Sequence, residues 1–154
     1  MFQIREDDLT GEAVQALLAL HLSGMHADTP PERVFALDLD GLKRPGITVW
    51  SVWDGDRLAG IGALKAVDGG RGEIKSMRTD PRYLRRGAAS ALLAHIVGVG
   101  RQRGYQSLSL ETGRGPAFDA ALALYRKHGF TDGDAFGDYT ASDFNQFLHR
   151  ELES

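Results

Sequence analysis

Between Ile47 and Thr79 the chain reads as three extended runs laid back to back, and few folds accept such a block followed at once by a helix. Ile47–Trp53 (ITVWSVW) is β-branched and aromatic, and Asp54-Gly55-Asp56 turns it into Arg57–Ala66, a hairpin signature. Asp68-Gly69-Gly70-Arg71-Gly72 makes the next turn, and Glu73–Thr79 (EIKSMRT) follows as the third strand of a meander. Asp80-Pro81 ends it, because proline has no N–H to give a ladder. Simple alternation puts Glu73, Lys75 and Met77 on one face of that strand.

The remaining segments must pack around this meander. Phe2–Arg5 reads as a short strand, and Thr10 as the N-cap of a helix with Val14, Leu17, Leu18, His21 and Met25 on one stripe. Thr29-Pro30-Pro31-Glu32 breaks the chain and restarts it as a short helix through Val34, Phe35 and Leu37. After Gly87 a helix buries Ala89, Leu92, Leu93, Ile96 and Val97 and ends near Gly104. Ser107–Glu111 (SLSLE) is a strand. A second helix runs from about Pro116, with Phe118, Ala121, Leu122 and Tyr125 on its stripe, to Gly129. The tail Phe144–Leu152 alternates weakly and closes a sheet edge. The order β-α-α-β-β-β-α-β-α-β predicts an α/β (α+β) fold with an antiparallel meander in its middle.

At 154 residues, 1–154 is expected to be a single domain with a core of its own. A net charge of -3 offers no global attraction to nucleic acid or an anionic membrane, so neither is expected as a partner. With no cysteine there is no disulfide, thiolate–metal site or cysteine nucleophile, and the histidines lack metal-ligand spacing. The N-terminus lacks a basic and then apolar leader, and no run approaches the roughly 20 apolar residues that span a bilayer. The chain is therefore expected to be soluble and cytoplasmic.

The stretch Tyr83-Leu-Arg-Arg-Gly-Ala-Ala-Ser-Ala-Leu-Leu93 sets two arginines and a glycine against the first turn of a helix. A helix N-terminus presents unpaired N–H groups and a positive dipole end, so this is either an anion cradle or a solvated arginine pair. Its place between a strand and a helix is the context a phosphate cradle requires. No Gly-Lys-Ser/Thr follows, so it is not a Walker loop, and a meander before it excludes a dinucleotide fingerprint.

Two motifs together resemble the GNAT superfamily of acetyl-CoA-dependent N-acetyltransferases, over about Phe2 to Leu152. Met77–Leu93 looks like the family's strand-loop-helix for pyrophosphate, Q/R-x-x-G-x-G/A, with Leu84 where Gln or Arg is usual and Ala89 at the second glycine position. Ala121-Leu-Ala-Leu-Tyr-Arg-Lys-His-Gly-Phe130 is similar to A-x-x-L-Y-x-x-x-G-F. Phe118 stands three residues before it, where many members carry Asn.

The resemblance implies a mostly antiparallel sheet flanked by helices, with acetyl-CoA (coenzyme A) as cofactor and a gap between Glu73–Thr79 and Ser107–Glu111 for the thioester. Leu84, Arg85, Arg86, Gly87, Ala88, Ala89 and Ser90 would hold the pyrophosphate. Met77, Arg78 and Thr79 would pair with the pantetheine arm through their backbone, near Phe118 and Tyr125. The backbone N–H of Met77 or Arg78 would face the oxyanion. Tyr125 is the expected acid for the thiolate, and Glu73, then Glu111, the expected base, with water as the alternative. His21, His26, Glu111, Asp138 and Tyr139 would border the acceptor. An acidic pocket, with Lys75 its only basic residue, implies that the acceptor, the amine of a small molecule or of an amino-acid-like compound, arrives as a cation. A protein or peptide acceptor and a non-catalytic acyl-CoA-binding module are the alternatives, and the family pattern admits a homodimer.

Overall fold

The structure is a computed structural model and describes residues 2–28, 39–67 and 69–152. Seven strands form one sheet: β1 (Gln3–Glu6), β2 (Ile47–Asp54), β3 (Arg57–Val67), β4 (Arg71–Thr79), β5 (Ser107–Gly113), β6 (Thr131–Gly133) and β7 (Asn145–Glu151). Their order is β1-β2-β3-β4-β5-β7-β6, and β4 with β5 is the one parallel pair. The helices are α1 (Glu12–Asp28), α2 (Leu39–Leu42), α3 (Ala88–Gln102) and α4 (Asp119–Lys127). A 3-10 turn at Pro81–Tyr83 precedes α3, and another at Pro116–Phe118 leads into α4.

The meander forms as its sequence dictates, with the second turn closing at Gly69-Gly70 so that β4 begins at Arg71, two residues earlier than expected. Helix α3 lays Leu92, Leu93, Ile96 and Val97 on one face of the sheet, where α4 adds Leu122 and Tyr125. Helix α1 covers the opposite face with Val14, Leu17 and Leu18 against Val49, Ile61 and Ala63. Each such leucine or isoleucine contributes about 1.5–3 kcal/mol by leaving water. Among the described residues no helix is long and apolar enough to cross a membrane.

Three local expectations change. Thr10 does not cap α1: its hydroxyl donates to Asp8 Oδ1 at 2.7 Å, and the first helical amide bond runs from Gln15 to the Gly11 carbonyl. Asp8 wins because its carboxylate also takes the Thr10 N–H, at 3.1 Å, a tight local turn. The short helix through Val34, Phe35 and Leu37 lies outside the described residues, and the short helix seen is Leu39–Leu42. The tail strand β7 is not an edge: it lies between β5 and β6, and the exposed three-residue β6 closes the sheet.

One irregularity in β4 decides which of its side chains share a face with Glu73. Ala63 pairs with Lys75 and Ile61 with Arg78, so Ser76 and Met77 together oppose Gly62. This is a β-bulge, with Ser76 at φ 57°, a left-handed conformation that costs a non-glycine residue of order 1 kcal/mol. Gly62 makes it possible, since a Cβ there would lie 2.5 Å from Met77 Sδ.

Candidate active site

Strands β4 and β5 pair only where Arg71, Gly72 and Glu73 meet Ser107, Leu108 and Ser109. Beyond Glu73 the two diverge, while β4 stays bound to β3 and β5 to β7. The free edge of β4 from Ile74 onward thus offers backbone groups to an extended ligand, as an added strand would use them. Met77, Arg78 and Thr79 lie on that stretch.

The loop at the end of β4 is held from below. Asp80 accepts from the Arg82 amide at 2.9 Å and from its guanidinium, and the Tyr83 hydroxyl donates to Asp54 Oδ2 at 2.9 Å. Above this anchor Leu84 is exposed, Arg85 sits at φ 63°, and the Arg86 guanidinium lies 5.7 Å from the Tyr83 ring. Gly87 caps α3 at φ 89° with open space where a Cβ would stand. The first amide bond of α3 is from Ala91 to the Gly87 carbonyl, at 2.9 Å, which leaves the N–H groups of Ala88, Ala89 and Ser90 as orphan donors. Neither Arg85 nor Arg86 has an ion-pair partner among the described residues. Orphan N–H groups, a dipole end, two unpaired guanidinium groups and an open glycine fit a phosphate. The Ser90 hydroxyl is taken by His128 Nε2 at 2.8 Å, so only its N–H points that way.

Tyr125, on the face of α4 that meets the sheet, is buried edge-on to Phe130 at 5.9 Å. Its hydroxyl has no hydrogen-bond partner among the described residues, and burial pushes its pKa up, so it stays protonated. Phe118 packs its ring against Gly113 at the end of β5, where a Cβ would come within 2.5 Å of it.

The other side of the gap is made of side chains. Glu73 is 3% exposed, and Lys75 Nζ meets its Oε2 at 3.0 Å. The Tyr139 hydroxyl donates to the same oxygen and accepts from Lys75 Nζ at 2.7 Å. Burial, then the bond to Glu73, pushes the Tyr139 pKa up. Glu111, half-buried on β5, has its pKa pushed up to about 7 by burial, with Glu73 adding to the rise and an Asn145 hydrogen bond and Lys75 opposing it. His21 on α1 is buried and its Nδ1 unpartnered; burial and then the Arg78 charge lower its pKa to about 4, so the ring is neutral.

The structure therefore brings Glu73, Lys75, Glu111 and Tyr139 together. Asp138 is exposed while its neighbour Tyr139 is half-buried. The side chain of His26 lies outside the described residues. Met77 does not share a face with Glu73, because the bulge turns it toward Leu92 on α3 and brings Arg78 to the Glu73 face instead. The pocket is consequently not acidic. On this face of β3, β4 and β5 stand Lys65, Arg71, Lys75 and Arg78 against Glu73 and Glu111. Sequence reading missed Asn145, and also Ser109, whose hydroxyl meets His149 Nδ1 at 2.7 Å. Period-two alternation along Ser107–Glu111 is the signal that aligns Ser109 with Glu111.

A mixed sheet splayed between two parallel strands, with an anion-ready helix end beside the gap, is the arrangement that the resemblance to acetyl-CoA-dependent acetyltransferases implies. The comparisons agree. A family model described as Acetyltransferase (GNAT) family matches residues 12–130. The uncharacterised N-acetyltransferase YedL of Escherichia coli K12 is 54% identical over 152 residues, spanning 99% of this chain and 96% of that one. The uncharacterised N-acetyltransferase YsnE of Bacillus subtilis 168 is 46% identical, spanning 97% and 99%. A Bacillus subtilis acetyltransferase solved in complex with CoA shares the fold at TM-score 0.74 and 19% identity, covering 99% of this chain and 100% of that one. The chain belongs to the GNAT acetyltransferase family, and its chemistry is acetyl-CoA-dependent N-acetylation.

Proposed function

We propose that the acceptor is the amine of a small molecule and that Glu111 is the base that takes its proton, directly or through water. The observation that carries this is a half-buried carboxyl poised at about 7 beside the gap. Glu73 is already committed to Lys75 and Tyr139. An alkyl ammonium ion has a pKa near ~10.4 and must lose a proton before it can attack, and a base works best when its pKa lies near the operating pH.

Acetyl-CoA, when bound, supplies the activated acetyl thioester. Residues Leu84–Ser90 would hold its pyrophosphate and the β4 edge at Met77–Thr79 its arm. The N–H of Met77 or Arg78 would orient the carbonyl. Tyr125, protonated and with its hydroxyl unengaged, would deliver a proton to the departing sulfur.

Glu111→Gln tests the base. For the wild type, kcat/KM should rise with pH through about 7, where Glu111 ionises. The glutamine variant should be down ~10²-fold near neutrality, lose that step and recover in part at high pH as free amine accumulates. The native pKa of Glu111 lies above its ordinary 4.5, so stability is lost as pH rises from 4.5 through about 7. The variant should therefore melt higher than wild type at pH 8. An unchanged pH–rate profile would remove Glu111 from catalysis.

A further inference from the structure

The bulge at Ser76 turns Arg78 onto the face it shares with Glu73, Lys75 and α1, next to the free edge of β4. Plain alternation would have sent this side chain to the other face, into the apolar layer under α3. Arg78 is half-buried, and its guanidinium has no hydrogen bond, ion pair or ring partner among the described residues.

Its neighbours on that face are differently placed. Lys75 is spent on Glu73 and Tyr139, with only 9% of its side chain exposed. Arg71 lies over the Phe136 ring at 5.4 Å. Lys65, half-buried, stands opposite Glu73 in register, toward the closed end of the gap. His21 beside Arg78 is buried and neutral and gives it no counter-charge. A partly desolvated cation without an anion is costly, and the guanidinium fork matches the two oxygens of a carboxylate better than any other common group.

We propose that the acetyl acceptor is an amine that also carries a carboxylate, of the amino-acid class, and that Arg78 binds that carboxylate while Glu111 faces the amine. Rim position and charge act together here. Across β3, β4, β5 and β7 the four cations on this face, Lys65, Arg71, Lys75 and Arg78, still exceed the three carboxylates, Glu73, Glu111 and Glu151, the last at the closed end beside Arg71, so the field favours a ligand with a negative group. Arg78 lies one side chain's length from its own backbone N–H, so carboxylate and reacting amine sit within one small molecule. This inference rests on the acetyl-transfer reading above.

The test compares proteinogenic L-amino acids with their carboxamides by CoA thiol release. At least one acid should exceed its amide by ~30-fold or more in kcat/KM. Arg78→Gln should collapse that ratio by ~10²-fold, mostly through KM, and Arg78→Lys should fall between, keeping charge without the fork. A second arm needs no turnover: N-acetyl amino acids, with CoA present, should raise the melting temperature of wild type and not of Arg78→Gln. Equal acids and amides in wild type, equal losses for both in the variant, a weakened CoA affinity in Arg78→Gln, or no Arg78-dependent shift with any N-acetyl amino acid would each overturn the proposal. If acid preference holds while Glu111→Gln keeps the wild-type profile, only the base assignment fails. If the profile changes but acids and amides are equal, only the carboxylate fails.

Discussion

Leu84–Gly87 is an exposed, contiguous stretch leading into the buried Ala88 of α3, whereas the face around Glu73 gathers buried and half-buried side chains from β4, β5, α1 and the loop after β6. The first would hold an anion by geometry that any residue's N–H can supply once Gly87 takes φ 89°. The second depends on the identity of each side chain and on water being excluded from Glu73 and Lys75. The contrast teaches where each side tolerates change. An anion site built from amides would tolerate Leu84 in place of a polar residue, whereas Lys75 depends on the Glu73 carboxylate itself.

The largest expected effect breaks the loop. Gly87→Glu forces a side chain into the left-handed region, a strain of about 1–2 kcal/mol, and sets a carboxylate against the anion. CoA affinity, measured by calorimetry, should fall at least ~10³-fold, with Gly87→Ala showing only the strain. If both variants bind CoA like wild type, the helix end is not the phosphate site.

Next, Glu73→Gln leaves the Lys75 ammonium buried without its counter-ion. Removing one partner of a buried pair costs about 3–5 kcal/mol. Urea denaturation should show a loss near the lower end, because the Tyr139 hydroxyl still accepts from Lys75. CoA affinity should not change. A loss under about 0.5 kcal/mol would mean that the acceptor side is no more particular about its side chains than the loop.

The smallest effect tests the boundary between the two regions. Tyr125→Phe keeps the ring against Phe130 and removes a hydroxyl that has no partner, so stability should hold within about 0.5 kcal/mol. Turnover should fall ~10²-fold if the hydroxyl is the acid. An unchanged kcat would return Tyr125 to the core.

Much of the loop side was legible in the chain because its parts are neighbours: Asp80-Pro81 ends a strand, Gly87 opens a helix, and the apolar stripe follows at helical spacing. The Lys75–Glu73 pair was legible too, two residues apart on one strand. Tyr139 was expected at the acceptor's border, but its bond to Glu73 was not legible: the two lie 66 positions apart and meet only because β7 enters the sheet between β5 and β6. β6 carries three exposed residues with no pattern to announce it.

The sequence by itself determined the meander, the two amphipathic helices behind it and the open helix end at Gly87. These follow from local periodicity, turn residues and backbone dipoles. Only the tertiary structure decided which charges meet in the pocket. One extra residue in β4 opposite Gly62 exchanges Met77 for Arg78 on the acceptor face. A strand's side chains alternate with period two, so a single-residue bulge inverts every face beyond it. No local pattern in EIKSMRT reveals the bulge, because it is set by pairing with β3.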